Sequence, residues 1–340
     1  MSVVMGLDQH RAQITADWID TLTGEVSRGR IVPADRSGVR RFLGRFADCE
    51  LEVALEATTG WRFVVKELRR VGARVHLAEA AEASALRGPK QHAKTDRADA
   101  RHLRELLMTG RLPECWIAPD HLLDLRARVR LRHTLVDERG EWQQRMRAVL
   151  YHHRLPARPE LQLLRADGRV WLAGLEVSEV AREQITIALA VIDALDARIA
   201  PITTELQAYA RRQVGCKAVM VHYGIGPLTA VAVLAELGDC RRFSSSRQAV
   251  RHSGLDIPVH ASDQRRAPGH LSRQGPPTLR WALHEAAQVA PRAGSPDRDY
   301  YRQAAARLGH NRALLAVARK LLKRCYHTLK DLGEDALAPA

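Results

Sequence analysis

Four carboxylates stand where a divalent cation could gather them. Asp8 follows the apolar run Val3-Val4-Met5-Gly6-Leu7, and Glu56 follows Leu51-Glu52-Val53-Ala54-Leu55, so each closes an extended segment. Asp96 and Asp99 lie three residues apart at the start of a helix opened by Lys94-Thr95, a spacing that puts both on one helix face. Four acidic groups at one edge repel one another strongly and need divalent cations. Mg²⁺, which favours carboxylate and water oxygens, is the natural choice. Two such ions activate a nucleophile and stabilise the leaving oxygen in phosphodiester cleavage. Singly, each residue has a plainer reading: Asp96 as a helix N-cap with Asp99 completing a capping-box-like turn, and Glu56 as the end of a strand. The conjunction carries the inference.

A second set of reactive side chains lies between Gly254 and Gly275, a polar stretch rich in Ser, Arg, Gly and Pro inside an otherwise helical region. A long basic loop of this kind is usually functional. A serine among arginines can attack phosphorus while guanidinium groups hold the phosphate. Chemistry alone does not choose between Ser253, Ser262 and Ser272, and Arg265, Arg266 and Arg273 are all placed to serve as phosphate clamps. Upstream, Tyr223-Gly224-Ile225-Gly226-Pro227 precedes an apolar helix and has the form of a hairpin in which Gly224 and Gly226 let backbone N–H groups approach a phosphate. An ordinary Gly-Pro turn between core helices fits the same residues. Nine arginines fall between Arg126 and Arg158, including the alternating Arg126, Arg128, Arg130 and Arg132, and read equally as a solvated helix face or as nucleic-acid contacts.

The elements that position these residues follow from pattern. Gln13 to Ile19 and Val26 to Val32, joined at Thr23-Gly24, extend the first strand into a three-strand meander. A helix over Gly38 to Phe46, a strand over Leu51 to Leu55, a helix over Trp61 to Arg70 and a strand over Arg74 to Ala78 continue it as a mixed α/β sheet. From Leu122 onward almost no strand signal remains. One or two long helices are expected over Leu122 to Arg154. Ile185, Ile192, Ile199 and Leu206 then recur every seven residues, with Ala188, Leu195, Ile202 and Tyr209 three later, which is a coiled-coil seam interrupted by Pro201. Pro201 is expected to kink or divide the helix. The seam favours self-association over an intramolecular hairpin. The fold class is therefore α/β plus all-α, with an acidic domain over 1–122, a helical linker and coiled coil over 123–212, and a helical domain over 213–340.

Composition narrows the partners. Lysines and arginines number 53 against 39 acidic residues, a net charge of +14, and the 46% hydrophobic content excludes a disordered basic tail as its source. Only seven of the basic residues are lysine, which G+C-rich codon usage can produce, so the net excess carries the inference rather than the share of arginine. That excess points to a polyanion, nucleic acid before membrane. No apolar run reaches the roughly 18 residues of a spanning helix, and Met1 to Asp8 lacks signal-peptide features, so a cytoplasmic protein is expected. Five scattered cysteines without a C-x-x-C pair indicate neither a disulfide framework nor a zinc site.

Several ordered segments resemble the DEDD transposases of the bacterial insertion-sequence one-ten family. They are Gly6-Leu7-Asp8-Gln9-His10-Arg11, Leu55-Glu56-Ala57-Thr58-Thr59-Gly60, Lys94-Thr95-Asp96-Arg97-Ala98-Asp99-Ala100, Gly224-Ile225-Gly226-Pro227, and Gly254-Leu255-Asp256 through Ser262-Asp263 to Gly269-His270-Leu271-Ser272-Arg273-Gln274-Gly275 with Leu279-Arg280-Trp281-Ala282-Leu283 after it. The likeness runs from Gly6 to Ala318-Arg319-Lys320-Leu321. It implies an N-terminal RuvC-like, ribonuclease-H-type domain holding Mg²⁺ on Asp8, Glu56, Asp96 and Asp99. It also implies a C-terminal transposase domain whose nucleophile falls on Ser262, with Ala261 where many relatives carry a second serine. It further implies a covalent phosphoserine link to DNA, donor and target DNA chosen by a structured noncoding bridge RNA, and a homodimer or homotetramer whose active sites draw on different subunits. The alternatives are a RuvC-like junction nuclease using water on the same carboxylates, and a non-catalytic nucleic-acid-binding protein.

Overall fold

The computed structural model describes residues 2–87, 95–155, 162–257, 261–262, 265–266 and 271–339, the two short pairs by backbone alone. The chain divides into two compact units, Met1–Ile117 and Ala118–Ala340.

The first unit is a six-stranded mixed sheet with helices on both faces. Strands β1 (Ser2–Gln9), β2 (Ile14–Asp20) and β3 (Val26–Ile31) form the antiparallel meander. After helix α1 (Arg36–Leu43), strand β4 (Glu50–Glu56) pairs parallel to β1. Helix α2 (Trp61–Arg70) returns the chain to β5 (Arg74–Ala78), parallel to β4. Helices α3 (Ala80–Ala85) and α4 (Asp96–Met108) precede the short edge strand β6 (Glu114–Cys115), and the spatial order is β3-β2-β1-β4-β5-β6. Alternation along the strands sorts the two faces. Val3, Met5, Leu7, Val53 and Leu55 pack with Phe42 of α1 and Val64 and Leu68 of α2, while Ala54 and Ala78 pack with Leu103 and Leu106 of α4. This is the α/β arrangement expected from the meander followed by alternating strands and helices.

Gly6 sets how closely α4 lies on the sheet. A Cβ there would sit 2.7 Å from the Arg104 backbone nitrogen and closer still to the Ala100 carbonyl oxygen, so only glycine lets the helix backbone rest against β1. Asp17, the cross-strand partner of Gly6, is fully buried, and it accepts a 2.6 Å hydrogen bond from Arg104 Nε and a 2.9 Å one from Arg28 Nε. The glycine admits the helix, and the ion pair fixes its position along β2.

The second unit is helical. Helix α5 (Asp120–His152) is one continuous helix; α6 (Ala166–Ala173) follows it, and α7 (Glu179–Arg212) runs back antiparallel to α5. The register is legible in the cross-links: Arg128 with Glu205, Arg132 Nε to Thr203 Oγ1 at 2.8 Å, Arg139 Nε to Asp196 Oδ1 at 2.6 Å, and Met146 and Leu150 packed with Ile185 and Ala188. Two sequence expectations are corrected here. Ile185, Ile192, Ile199 and Leu206 are buried within the single chain, so the seam that favoured self-association is covered by α5 and α9 (Pro227–Leu237), and the intramolecular hairpin is the observed arrangement. Nor does Pro201 divide α7. It sits at an exposed position, where the carbonyl deprived of a donor can face water.

Helix α8 (Val214–Val219) leads into α9, and α10 (Ser246–Ser253) is capped by Ser245. Strands β7 (Ala261–Ser262) and β8 (Arg265–Arg266) pair antiparallel, a small ribbon where the sequence suggested only loop. Helices α11 (Pro277–Ala287), α12 (Arg298–Leu308) and α13 (His310–Leu332) complete the unit. No helix among the described residues is long and apolar enough to cross a membrane.

Candidate active site

The acidic site forms at the C-terminal ends of two neighbouring parallel strands. Leu7 pairs with Leu55, so Asp8 and Glu56, the next residues on β1 and β4, share the α4 face of the sheet. Helix α4 brings Asp96 and Asp99 over that edge. Thr95 is its N-cap, with its side-chain oxygen accepting from the Ala98 N–H at 3.2 Å. The capping alternative for Asp96 therefore falls: the threonine does that work, and the carboxylate is left for the site.

Asp8 is buried, 8% exposed, and burial pushes its carboxyl up to about 6. The neighbouring His10 opposes this rise, whereas the negative charges of Asp99 and Asp96 add to it. His10 Nε2 lies 3.0 Å from Asp8 Oδ2 and 3.6 Å from Asp96 Oδ1. Gln13 Nε2 donates to Asp96 Oδ2 at 2.9 Å, and Asp99 is engaged by the Arg87 guanidinium. Across the hairpin, Thr15 pairs with Asp8 on the same face. It is 3% exposed, and its hydroxyl has no hydrogen-bond partner among the described residues. A buried hydroxyl left unpaired beside a buried carboxylate suits a site completed by a bound polar species. Oxygen donors converging from a strand end and a helix start fit a hard divalent cation.

His10, Gln13 and Arg87 were not singled out by sequence reading. For His10 a signal existed: two residues after Asp8 in extended chain, it faces the same way. Gln13 and Arg87 carried none, because each meets its carboxylate only through the tertiary fold.

Of the candidate serines, Ser253 is fully buried with its hydroxyl donating to the Val250 carbonyl at 2.7 Å, and Ser272 donates to Asp256. Ser253 is closed off from substrate, whereas Ser272 is half-buried. The Ser262 backbone lies in β7 paired with Arg265, and Arg266 pairs with Ala261; the side chains of Ser262, Arg265 and Arg266 lie outside the described residues. Arg273 is exposed at the base of this segment, where its N–H bonds the Gly254 carbonyl at 3.2 Å. Gly224 adopts φ +93°, and a Cβ there would collide with the Ala286 carbonyl oxygen of α11. Gly226 is the N-cap of α9. Each of the four alternating arginines has a partner within the helical unit, Arg126 the Ala235 carbonyl, Arg128 Glu205, Arg130 buried Glu236 at 2.8 and 2.7 Å, and Arg132 Thr203, while Arg128 and Arg130 stay exposed.

A ribonuclease-H-type sheet, ordered as above and carrying acidic residues at the ends of β1 and β4 and on α4, defines the class as a RuvC-like DEDD domain. The DEDD transposase domain model of the IS110 type matches residues 5–154, and the model described as Transposase IS116/IS110/IS902 family matches residues 216–302, together more than half of the chain. The chain is 26% identical over 301 residues to the "Probable family 20 transposase" of Pseudomonas aeruginosa, covering 85% of this chain and 84% of the relative. It is 32% identical over 129 residues, 37% of this chain and 35% of the relative, to the transposase for insertion sequence element IS1111A of Coxiella burnetii. The protein belongs to the IS116/IS110/IS902 family of transposases.

Proposed function

We propose that the protein cleaves, exchanges and rejoins DNA strands of an insertion element through a covalent link on Ser262, with Mg²⁺ held by Asp8, Glu56, Asp96 and Asp99. The observation that carries this reading is the gathering of Asp8, Asp96 and their neighbours at one sheet edge in a transposase-family chain. When bound, the cation offsets the carboxylate charge and polarises the phosphodiester. The protein's own contribution is to hold those carboxylates on rigid elements and to supply the nucleophile. The Ser262 hydroxyl oxygen attacks phosphorus, the bond to one deoxyribose oxygen breaks, and that oxygen leaves with the proton given up by the serine. The phosphoserine so formed conserves the phosphodiester, so a second DNA hydroxyl displaces the serine and rejoins strands without ATP. Arg265, Arg266 and Arg273 lie near Ser262 in sequence and are suited to hold the phosphate.

The chain is organised for this as an acidic domain (1–122), a helical linker (123–212) and a serine-bearing domain (213–340). Two or four copies act together, and a structured noncoding RNA of the element chooses donor and target DNA, a load consistent with the +14 charge. The test is a denaturing gel of labelled element-junction DNA with Mg²⁺ and co-expressed flank RNA. A protease-sensitive protein–DNA adduct, present in wild type and lost in Ser262→Ala and Asp8→Ala, is expected. Free cleaved ends without adduct, unaffected by Ser262→Ala, would overturn the serine chemistry in favour of hydrolysis by water.

A further inference from the structure

The ligand atoms that lie closest together at the acidic site are not all oxygens. Asp8, His10 and Asp96 each offer one atom, and the three lie within 4.8 Å of one another. Resting on the metal-dependent reading above, we infer that His10 is a nitrogen ligand of the bound cation, and that it tilts the site toward Mn²⁺ over Mg²⁺.

The spacing supports shared coordination. Ligands about 2.1 Å from an octahedral ion stand roughly 3 Å apart when adjacent and about 4.2 Å apart when opposite. His10 Nε2 is 3.0 Å from Asp8 Oδ2, a hydrogen bond whose length equals the separation of adjacent ligands, and 3.6 Å from Asp96 Oδ1, between the two limits. With all three atoms within 4.8 Å of one another, side-chain adjustment brings them within reach of one ion. The remaining positions stay open for water or a phosphate oxygen.

The His10 backbone is held in place while its imidazole is half-exposed. The His10 backbone N–H donates to the Gln13 carbonyl at 3.0 Å, closing the turn between β1 and β2, and the Gln13 side chain donates to Asp96 Oδ2, which leaves Oδ1 toward the imidazole. Asp99 is meanwhile occupied by Arg87. Of the side chains at this edge, the atoms close enough to share one ion are one imidazole nitrogen and one oxygen each from Asp8 and Asp96, with Glu56 and Asp99 outside this group. The orphaned hydroxyl of buried Thr15, across the hairpin from Asp8, is an independent sign that a polar species completes this corner. Nitrogen ligation discriminates between cations: Mg²⁺ prefers oxygen and keeps its waters, whereas transition ions accept imidazole readily.

The experiment is Mn²⁺ binding to the full-length protein without nucleic acid, read by electron paramagnetic resonance, with Mg²⁺ as competitor. Wild type is expected to show pulsed-resonance coupling of Mn²⁺ to an imidazole nitrogen, and His10→Ala to lose it. Mn²⁺ affinity should fall about tenfold in His10→Ala, while Mg²⁺ affinity changes by no more than about twofold. His10→Asp, which substitutes an oxygen ligand, should restore binding and abolish the preference for Mn²⁺. Absence of nitrogen coupling in wild type, or an unchanged Mn²⁺ to Mg²⁺ ratio in His10→Ala, would overturn the inference. Asp8→Ala separates the two levels: if it loses Mn²⁺ while His10→Ala keeps it, only the His10 assignment fails. If Asp8→Ala binds Mn²⁺ as wild type does, the carboxylate site itself fails.

Discussion

Replacing Gly6 with alanine tests whether the close approach of α4 to β1 builds the acidic site. The added Cβ would stand 2.7 Å from the Arg104 nitrogen and 3.0 Å from the Ala100 carbonyl carbon, where ordinary contacts begin at about 3.4 Å. Both neighbours are helix backbone and cannot rotate away, so α4 must recede bodily by more than half an ångström. Overpacking of this kind costs about 1–3 kcal/mol. For a unit of this size each kcal/mol shifts the melting point by about 4 °C, so a fall of roughly 4–12 °C in the transition of the first unit is expected. Because Asp96 and Asp99 ride on α4 while Asp8 stays on the strand, Mn²⁺ affinity should drop with it. Gly44→Ala, at an exposed helix end where a Cβ meets nothing within 4 Å, is the control and should melt within about 1 °C of wild type. A Gly6→Ala protein that melts and binds Mn²⁺ as wild type does would refute the argument.

Arg104→Ala should cost about 3 kcal/mol in denaturant unfolding, because it leaves Asp17 buried with only Arg28; replacing both Asp17 and Arg104 by leucine should recover most of that loss. Glu67 is 1% exposed, and hydrogen bonds from Arg40 first, then Arg36 and Arg70, hold its carboxyl down to about 2. The stability gap between wild type and Glu67→Gln should therefore be complete above about pH 4.5 and close as pH falls toward 2, as acid titration of the melting point will show. Ser253→Ala should lose about 1 kcal/mol of stability and keep the protein–DNA adduct, since that hydroxyl bonds only within the core around α10.

Much of the first unit was legible because local chemistry and tertiary packing agree there. Trp61–Arg70 and Arg74–Ala78 fall where turn residues and alternation placed them, β4 ends at Glu56, and β1 ends one residue past Asp8. What pattern does not carry is who meets whom. Gln13 and Asp96 are 83 positions apart, and Arg130 and Glu236 are 106 apart, yet each pair shares hydrogen bonds. The arginine run on α5 reads as a solvated face or as nucleic-acid contacts, and pattern does not show that its first members also brace α5 to α7 and α9. The heptad seam was misjudged for a related reason: periodicity reports that a face is covered without naming the cover, and α5 supplied it from within the chain. Among the serines, burial separated Ser253 from the others, which composition had no means to do.

The α5–α7 hairpin has a mechanical consequence. Helices of 33 and 34 residues are each about 50 Å long, so the pair is a rod whose tip packs around Met146 and Leu172 and whose base is braced by the bond from Arg130 of α5 to Glu236 of α9. Over that length a rotation of roughly ten degrees at the base carries the tip about 9 Å, close to three base-pair rises of duplex DNA. Pro201 stands about a third of the way from the base along α7, at the one turn where a backbone hydrogen bond cannot form. The braces from α5 to Asp196, Thr203 and Glu205 flank that turn, so α5 stiffens the hairpin where α7 lacks its own hydrogen bond.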